Sequence, residues 1–247
     1  MKNNTRSISW MALGLGALAG GLGAAVAAEG ADPAGWKASA FLGVTLTRGN
    51  SETIMANANV VADKKWDRNE VGLGASATYG ENDDERSAAN AGAFAQYNRL
   101  FSDRFYGYAR ADIRHDDIAK IDYRLTLSPG AGYYFVKNQK ISLSGEVGPG
   151  IVFERLDGDS RSYWTLRMGE KFTWQINERS RFWQMLDFSP KVDAWDDYVV
   201  TAEAGIETDI TQHLGLRLVA QDNYRSEPAP GREENDFILM AGLSYKF

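Results

Sequence analysis

The 247-residue chain has no cysteine. That removes a disulfide scaffold, a thiolate metal site and attachment of lipid to a mature N-terminal Cys. Histidine is nearly missing too, with only His115 and His213. Past residue 28 no apolar run is long enough for a membrane helix. Positive charge is in the minority: 27 Lys and Arg stand against 33 Asp and Glu, a net of −6. Without Lys2 and Arg6 the balance is 25 against 33, or −8. Nucleic acid is therefore not an expected partner, because phosphate binding needs a basic patch. No metal-ligand or cofactor motif is present. The mean hydropathy of −0.38 reads as soluble, but a membrane barrel reads the same way, since half of each strand faces a polar interior.

What is there begins with a leader. Lys2 and Arg6 precede an apolar, small-residue run over 8–28, and Ala25, Ala27 and Ala28 offer a cleavage site before Glu29. Residues 1–28 read as a secretory signal peptide and 29–35 as a short periplasmic segment. The alternative, a membrane anchor, fits less well, because the run is weakly apolar and is followed by Glu29 and Asp32.

From residue 36 to 247 the pattern alternates with period two, which argues strand. Trp36, Ala38, Ala40, Leu42, Val44 and Leu46 alternate with Lys37, Ser39, Thr45 and Thr47. At the end of the chain Phe237, Leu239, Ala241, Leu243, Tyr245 and Phe247 share a face, opposite Ile238, Met240, Gly242, Ser244 and Lys246. About twelve such segments are legible, an even number as expected of an up-and-down antiparallel transmembrane β-barrel. The ninth is the weakest, because Asp187 and Pro190 interrupt it. Even-numbered connections read as tight turns. Odd-numbered ones (81–88, 116–121, 156–161, 226–234) read as longer and acidic, the expected asymmetry of periplasmic turns and extracellular loops. A soluble antiparallel sandwich would give the same alternation. It would not explain aromatics near strand ends, such as Trp36, Tyr79, Phe105, Trp164 and Trp174, which suit interface girdles. Tyr245 and the final Phe247 resemble the C-terminal sorting signal that the outer-membrane assembly machinery reads.

The segment Gly43-Val44-Thr45-Leu46-Thr47-Arg48-Gly49-Asn50-Ser51-Glu52-Thr53 resembles the opening of the YdiY-like family of salt-induced outer-membrane proteins, a domain family of unknown function. Arg104-Phe105-Tyr106-Gly107-Tyr108-Ala109-Arg110, then 116–124 and Ser128-Pro129-Gly130-Ala131-Gly132-Tyr133, resemble its central part. The resemblance spans essentially the whole mature chain. It implies a barrel in the lipid of the outer membrane, and it implies no catalytic residues.

The inward positions carry both signs of charge: Arg110, Asp112, Arg114, Arg124, Glu146, Arg167, Lys171, Glu203, Glu207 and Arg217. Two readings stay open. These groups either pair and fill the lumen or line a water-filled pore for small ions or solutes. Inward glycines at 72, 74, 92, 130, 132, 148 and 150 are expected to leave space on one wall. A passive channel or a structural barrel is the leading expectation. Its rival is a rim hydrolase in which His115 works with Asp116 or Asp117 as general base. The acidic loops, with Asp83, Asp84, Glu85, Asp157, Asp159 and Glu234 among others, lack a complete calcium-loop motif and read as a solvated, lipopolysaccharide-facing surface.

Overall fold

The computed structural model describes residues 35–47, 53–82, 85–228 and 234–247. Residues 1–34, which hold the expected leader, and the turn 48–52 lie outside the described residues. Twelve strands follow one another: β1 (Trp36–Thr47), β2 (Thr53–Trp66), β3 (Asn69–Asn82), β4 (Glu85–Leu100), β5 (Phe105–Asp116) and β6 (Ile121–Lys137), then β7 (Ile141–Leu156), β8 (Asp159–Gln175), β9 (Ser180–Pro190), β10 (Tyr198–Asp209), β11 (Leu214–Arg225) and β12 (Asn235–Lys246). Each pairs antiparallel with the next, and β1 pairs with β12 to close a barrel. The ninth strand is regular despite Asp187 and Pro190: Asp187 faces inward, and Pro190 stands at the strand's last position.

The alternation sorts into an inside-out protein. Leu42, Val44, Phe237 and Leu239 are exposed on the outer surface, whereas Gln96, Glu146, Arg167 and Glu207 are buried within. A soluble sandwich would hide its apolar face, and here that face is the uncovered one. Exposed aromatics collect at two levels. Trp66, Tyr97, Phe105, Tyr133, Trp174 and Tyr245 ring the end with the short turns, while Tyr79, Tyr123, Phe153, Trp164 and Phe237 ring the other. These are the girdles of a lipid-facing belt. Each large apolar side chain that enters lipid from water stabilises the barrel by about 1.5–3 kcal/mol.

At the turn end the connections are 67–68, 101–104, 138–140, 176–179 and 210–213. The loop end differs from expectation in two places. β3 runs on to Asn82 and β4 resumes at Glu85, and the 156–161 stretch is a hairpin turned by Asp157 (φ 50°) and Gly158 (φ 88°). Both residues take the positive φ that a two-residue hairpin turn requires. These stretches look like loops in sequence because the ladder continues beyond the lipid, where no apolar face is demanded. β6 and β8 have 17 residues each, against the roughly 9–11 that a tilted strand needs to span a bilayer.

One wall is unusual. The β6–β7 ladder pairs Leu127 with Ile151 and Ala131 with Val147, but skips the intervening Ser128-Pro129-Gly130 and Gly148-Pro149-Gly150. Neither proline has an N–H to donate. A Cβ on Gly148 would collide with the Pro129 carbonyl oxygen and the Gly130 Cα, so the two backbones are packed as closely as glycine permits.

The outer face carries a carboxylate well inside the belt. Glu170 of β8 sits in register with Gly145 and Leu186 and accepts a 3.4 Å hydrogen bond from Gln184. Glu170→Leu should stabilise the barrel by about 1–2 kcal/mol, since a lipid-facing acid is unfavourable there. Urea titration in lipid vesicles checks this. A lower midpoint for the variant would place Glu170 out of lipid.

Candidate functional site

The site is the lumen, and its first feature is a set of rings lying on glycines. Tyr106 is directly opposite Gly132 and Tyr108 opposite Gly130. Phe94 is opposite Gly74, and Trp183 opposite Gly205. A Cβ on any of these four glycines would overlap the facing ring. Such cross-strand pairs cover the bare backbone of glycine with an aromatic face. The space expected at Gly74, Gly130 and Gly132 is therefore occupied, and at Gly148 it is closed by the neighbouring strand.

Above these rings the charges converge on Glu146 of β7. Its carboxylate accepts from Gln96 Nε2 at 2.8 Å, Tyr106 OH at 2.9 Å and Arg167 at 2.8 Å, with Lys171 Nζ at 3.4 Å. Gln96 turns its other end to Arg110 at 3.1 Å and Lys171 at 3.3 Å. Arg110 pairs with Asp112 at 2.6 Å and lies over the Phe94 ring at 4.7 Å. Arg167 reaches a second acid, Asp187, at 2.6 Å. This mid-depth layer ties β4, β5, β7, β8 and β9 together. Charges taken out of water in this way persist only where each finds opposite charge and hydrogen bonds.

A second cluster stands on the opposite wall toward the turn end. Glu207 meets Arg217 at 2.5 Å, Lys246 at 3.3 Å and Arg181 at 3.5 Å. Lys246 also holds Asp209 at 2.6 Å. The Arg217 guanidinium lies 5.4 Å from the Phe41 ring centre and 5.6 Å from that of Trp183. Phe41 belongs to an inward apolar patch with Val219, Ile238 and Met240. Glu203 accepts from Trp183 Nε1 at 2.6 Å and from Gln221 at 2.7 Å. At the turn-end rim Glu70 takes Tyr134 OH at 2.7 Å and Asn98 at 3.2 Å, beside Lys65 and Lys137.

Between the mid-depth layer and the loop end lies a cavity of about 220 Å³. Arg110, Arg114, Arg124, Arg167, Lys191 and Arg225 line it, against the carboxylates of Asp112, Asp187 and Asp197. Arg114 pairs with Asp116 at 2.8 Å and Arg124 with Glu154 at 2.5 Å. Glu154 is shared with Arg161.

All ten charged residues singled out in the sequence face inward, but they fall into separate clusters rather than one ring. Of the two rim pairings expected, His115 with Asp116 is split: His115 is exposed on the outer face, while Asp116 is buried and accepts from Arg114 and the Ala119 N–H, each at 2.8 Å. His115 places Nδ1 2.9 Å from the Asp122 carbonyl oxygen and Nε2 2.9 Å from Asp117. Asp117 is also held by Arg86 at 2.9 Å. Both ring nitrogens are thus engaged. Among the described residues no group of three or more His, Asp or Glu is placed to hold a metal. Tyr245 and Phe247 stand on the outer surface with ring centres 5.1 Å apart. Sequence reasoning missed Glu70, Glu154, Arg161, Arg181 and Arg225, and it read Asp187 only as an interruption. Continuing the period-two parity to the strand ends would have found each of them.

The family model described as "Protein of unknown function, DUF481" matches residues 40–247. The chain belongs to this family. "Uncharacterized protein YdiY" of Escherichia coli (strain K12) is 23% identical over 176 residues, covering 70% of this chain and 68% of its own. Among solved structures the NanC porin aligns with a TM-score of 0.53 at 10% identity, over 85% of this chain and 100% of that one. The translocator domain of the autotransporter NalP from Neisseria meningitidis aligns at 0.49 and 12%, over 86% of this chain and 88% of its own. The DUF481 barrel shares the fold of the NanC porin.

Proposed function

We propose that this DUF481 barrel is a narrow, passive channel of the bacterial outer membrane that admits small solutes and performs no chemical step. The observation that carries the reading is the closed barrel with charge on its inner wall and apolar side chains outside, narrowed at mid-depth by the layer around Glu146. Its charges are spent on one another, not held around a reactive centre, and they cross the lumen where a larger solute would have to pass. A polar, charge-lined interior inside a closed apolar belt is the physical requirement for moving water-borne solutes through lipid. The exposed acids of the loop end, among them Asp117, Asp157 and Asp159, would meet lipopolysaccharide through bridging divalent cations.

Planar-bilayer recording tests this. Folded protein should give small single-channel steps. Arg110→Glu should shift the preference toward cations, because a fixed charge concentrates the opposite ion locally. The outer-face control Leu166→Val should leave selectivity unchanged. Folded protein that gives no steps would overturn the channel reading and leave a structural barrel.

A further inference from the structure

We propose that the loop-end cavity is a binding site for a small multivalent oxyanion, with Arg225 as its anchor and Arg114 and Arg124 beside it. The proposal stands apart from conduction, since a site in the mouth needs no open path below it. It begins with a charge inversion. The chain as a whole is acidic at −6, yet six cationic side chains face three carboxylates around the cavity.

The pairing makes the excess specific. Asp112 is held by Arg110, Asp187 by Arg167 and Asp197 by Lys191, so each lining carboxylate is already matched. The acids of Arg114 and Arg124, Asp116 and Glu154, are not among the residues that line the cavity. Arg225, the last residue of β11, forms no ion pair among the described residues, and Glu154, whose charge attracts it, is already shared by Arg124 and Arg161. The charges that act on its guanidinium most strongly are Arg124 and Arg114, both of its own sign. A partly buried guanidinium crowded by like charge is unfavourable unless an anion joins it.

The form of the site describes the ligand. A guanidinium fork matches two oxygens of a carboxylate or phosphate. Glu154 serves both Arg124 and Arg161, so with Arg225 the group keeps an excess of two positive charges and calls for more than one negative charge. Thr126, Ser189, Thr201 and Asn223 add neutral polar atoms around the wall, and Tyr163 adds a ring. The volume of about 220 Å³ lies below the roughly 300 Å³ at which drug-sized ligands are first held. The ligand class is accordingly a compact organic di- or tricarboxylate or a small phosphorylated compound.

Calorimetry on the folded, detergent-solubilised barrel tests the site, with citrate and inorganic phosphate as probes and acetate as the monovalent control. Citrate or phosphate should bind saturably at one site, and acetate should not. Binding of citrate alone assigns the site to separated carboxylates, and binding of phosphate alone to a compact dianion. Arg225→Gln should weaken binding by at least about tenfold, the loss of one charge-assisted contact, and Arg225→Lys by less. Arg179→Gln, in an exposed turn at the other end, should bind as wild type. If Arg225→Gln fails to fold, the bound anion should still protect Arg225 of the wild type from phenylglyoxal, as mapped by peptide mass. The absence of saturable binding of both probes would overturn the proposal. So would wild-type affinity in folded Arg225→Gln, or modification of Arg225 that citrate and phosphate leave unchanged. Because binding is read in detergent solution, a barrel that binds but does not conduct separates this site from the channel reading.

Discussion

Replacing Glu146 by leucine should cost the folded barrel about 3–5 kcal/mol, the usual consequence of removing one partner from a buried charge network. The carboxylate is the common acceptor for Gln96, Tyr106, Arg167 and Lys171. Without it two buried cations face each other, with only Asp187 left on the far side of Arg167. The effect comes from the charges left behind and not from lost attraction, so the remedy differs from simple restoration. Adding Lys171→Met to Glu146→Leu should recover a measurable part of the loss, which a double-mutant cycle reads directly. Urea unfolding in lipid vesicles provides the free energies. A loss under about 1 kcal/mol for Glu146→Leu would mean that water reaches this layer freely and screens it.

Gly148→Ala should fail to assemble, with the folded, heat-modifiable band in membrane fractions falling at least about tenfold. Overpacking by one methyl usually costs about 1–3 kcal/mol because side chains shift to admit it. Here the obstacle is the Pro129 carbonyl and the Gly130 Cα, which are main chain and move only if the wall moves. Gly150→Ala is the comparison two residues along the same strand. Its Cβ would meet the Thr165 hydroxyl first, with the Ser128 hydroxyl farther off, and a side chain can rotate away. It should therefore assemble at close to wild-type levels. Equal behaviour of the two variants would show that the β6–β7 wall is looser than its geometry implies.

The strands were legible because lipid enforces a rule on every second residue. Leu42, Val44 and Leu239 have no choice of face, and the pattern needs no knowledge of partners. The rule stops where the lipid stops. At 81–82 and 159–161 the ladder continues in polar residues, so composition reads loop where the backbone is still paired. The inward set is legible in parity but not in grouping. Gln96 and Glu146 are fifty residues apart, and nothing in either neighbourhood signals that they meet. Glycine misled for a related reason. Gly132 looks like empty space until Tyr106 is known to lie directly across from it, and a cross-strand register is a property of two segments at once. The same limit hid Arg225, whose significance lies in which acids its neighbours Arg114 and Arg124 have already taken.

The rings seated on glycines bear on how such a barrel can change over generations. The bore is set not by strand number alone but by four aromatic side chains, each resting on a residue that cannot grow while the ring remains. Enlarging Gly132 or Gly74 first collides with Tyr106 or Phe94. Trimming the ring first bares the backbone it covered. The intermediate with one change is worse than either end, so the lumen is expected to drift in paired steps across neighbouring strands. Its width is then inherited as a set of coupled two-residue choices.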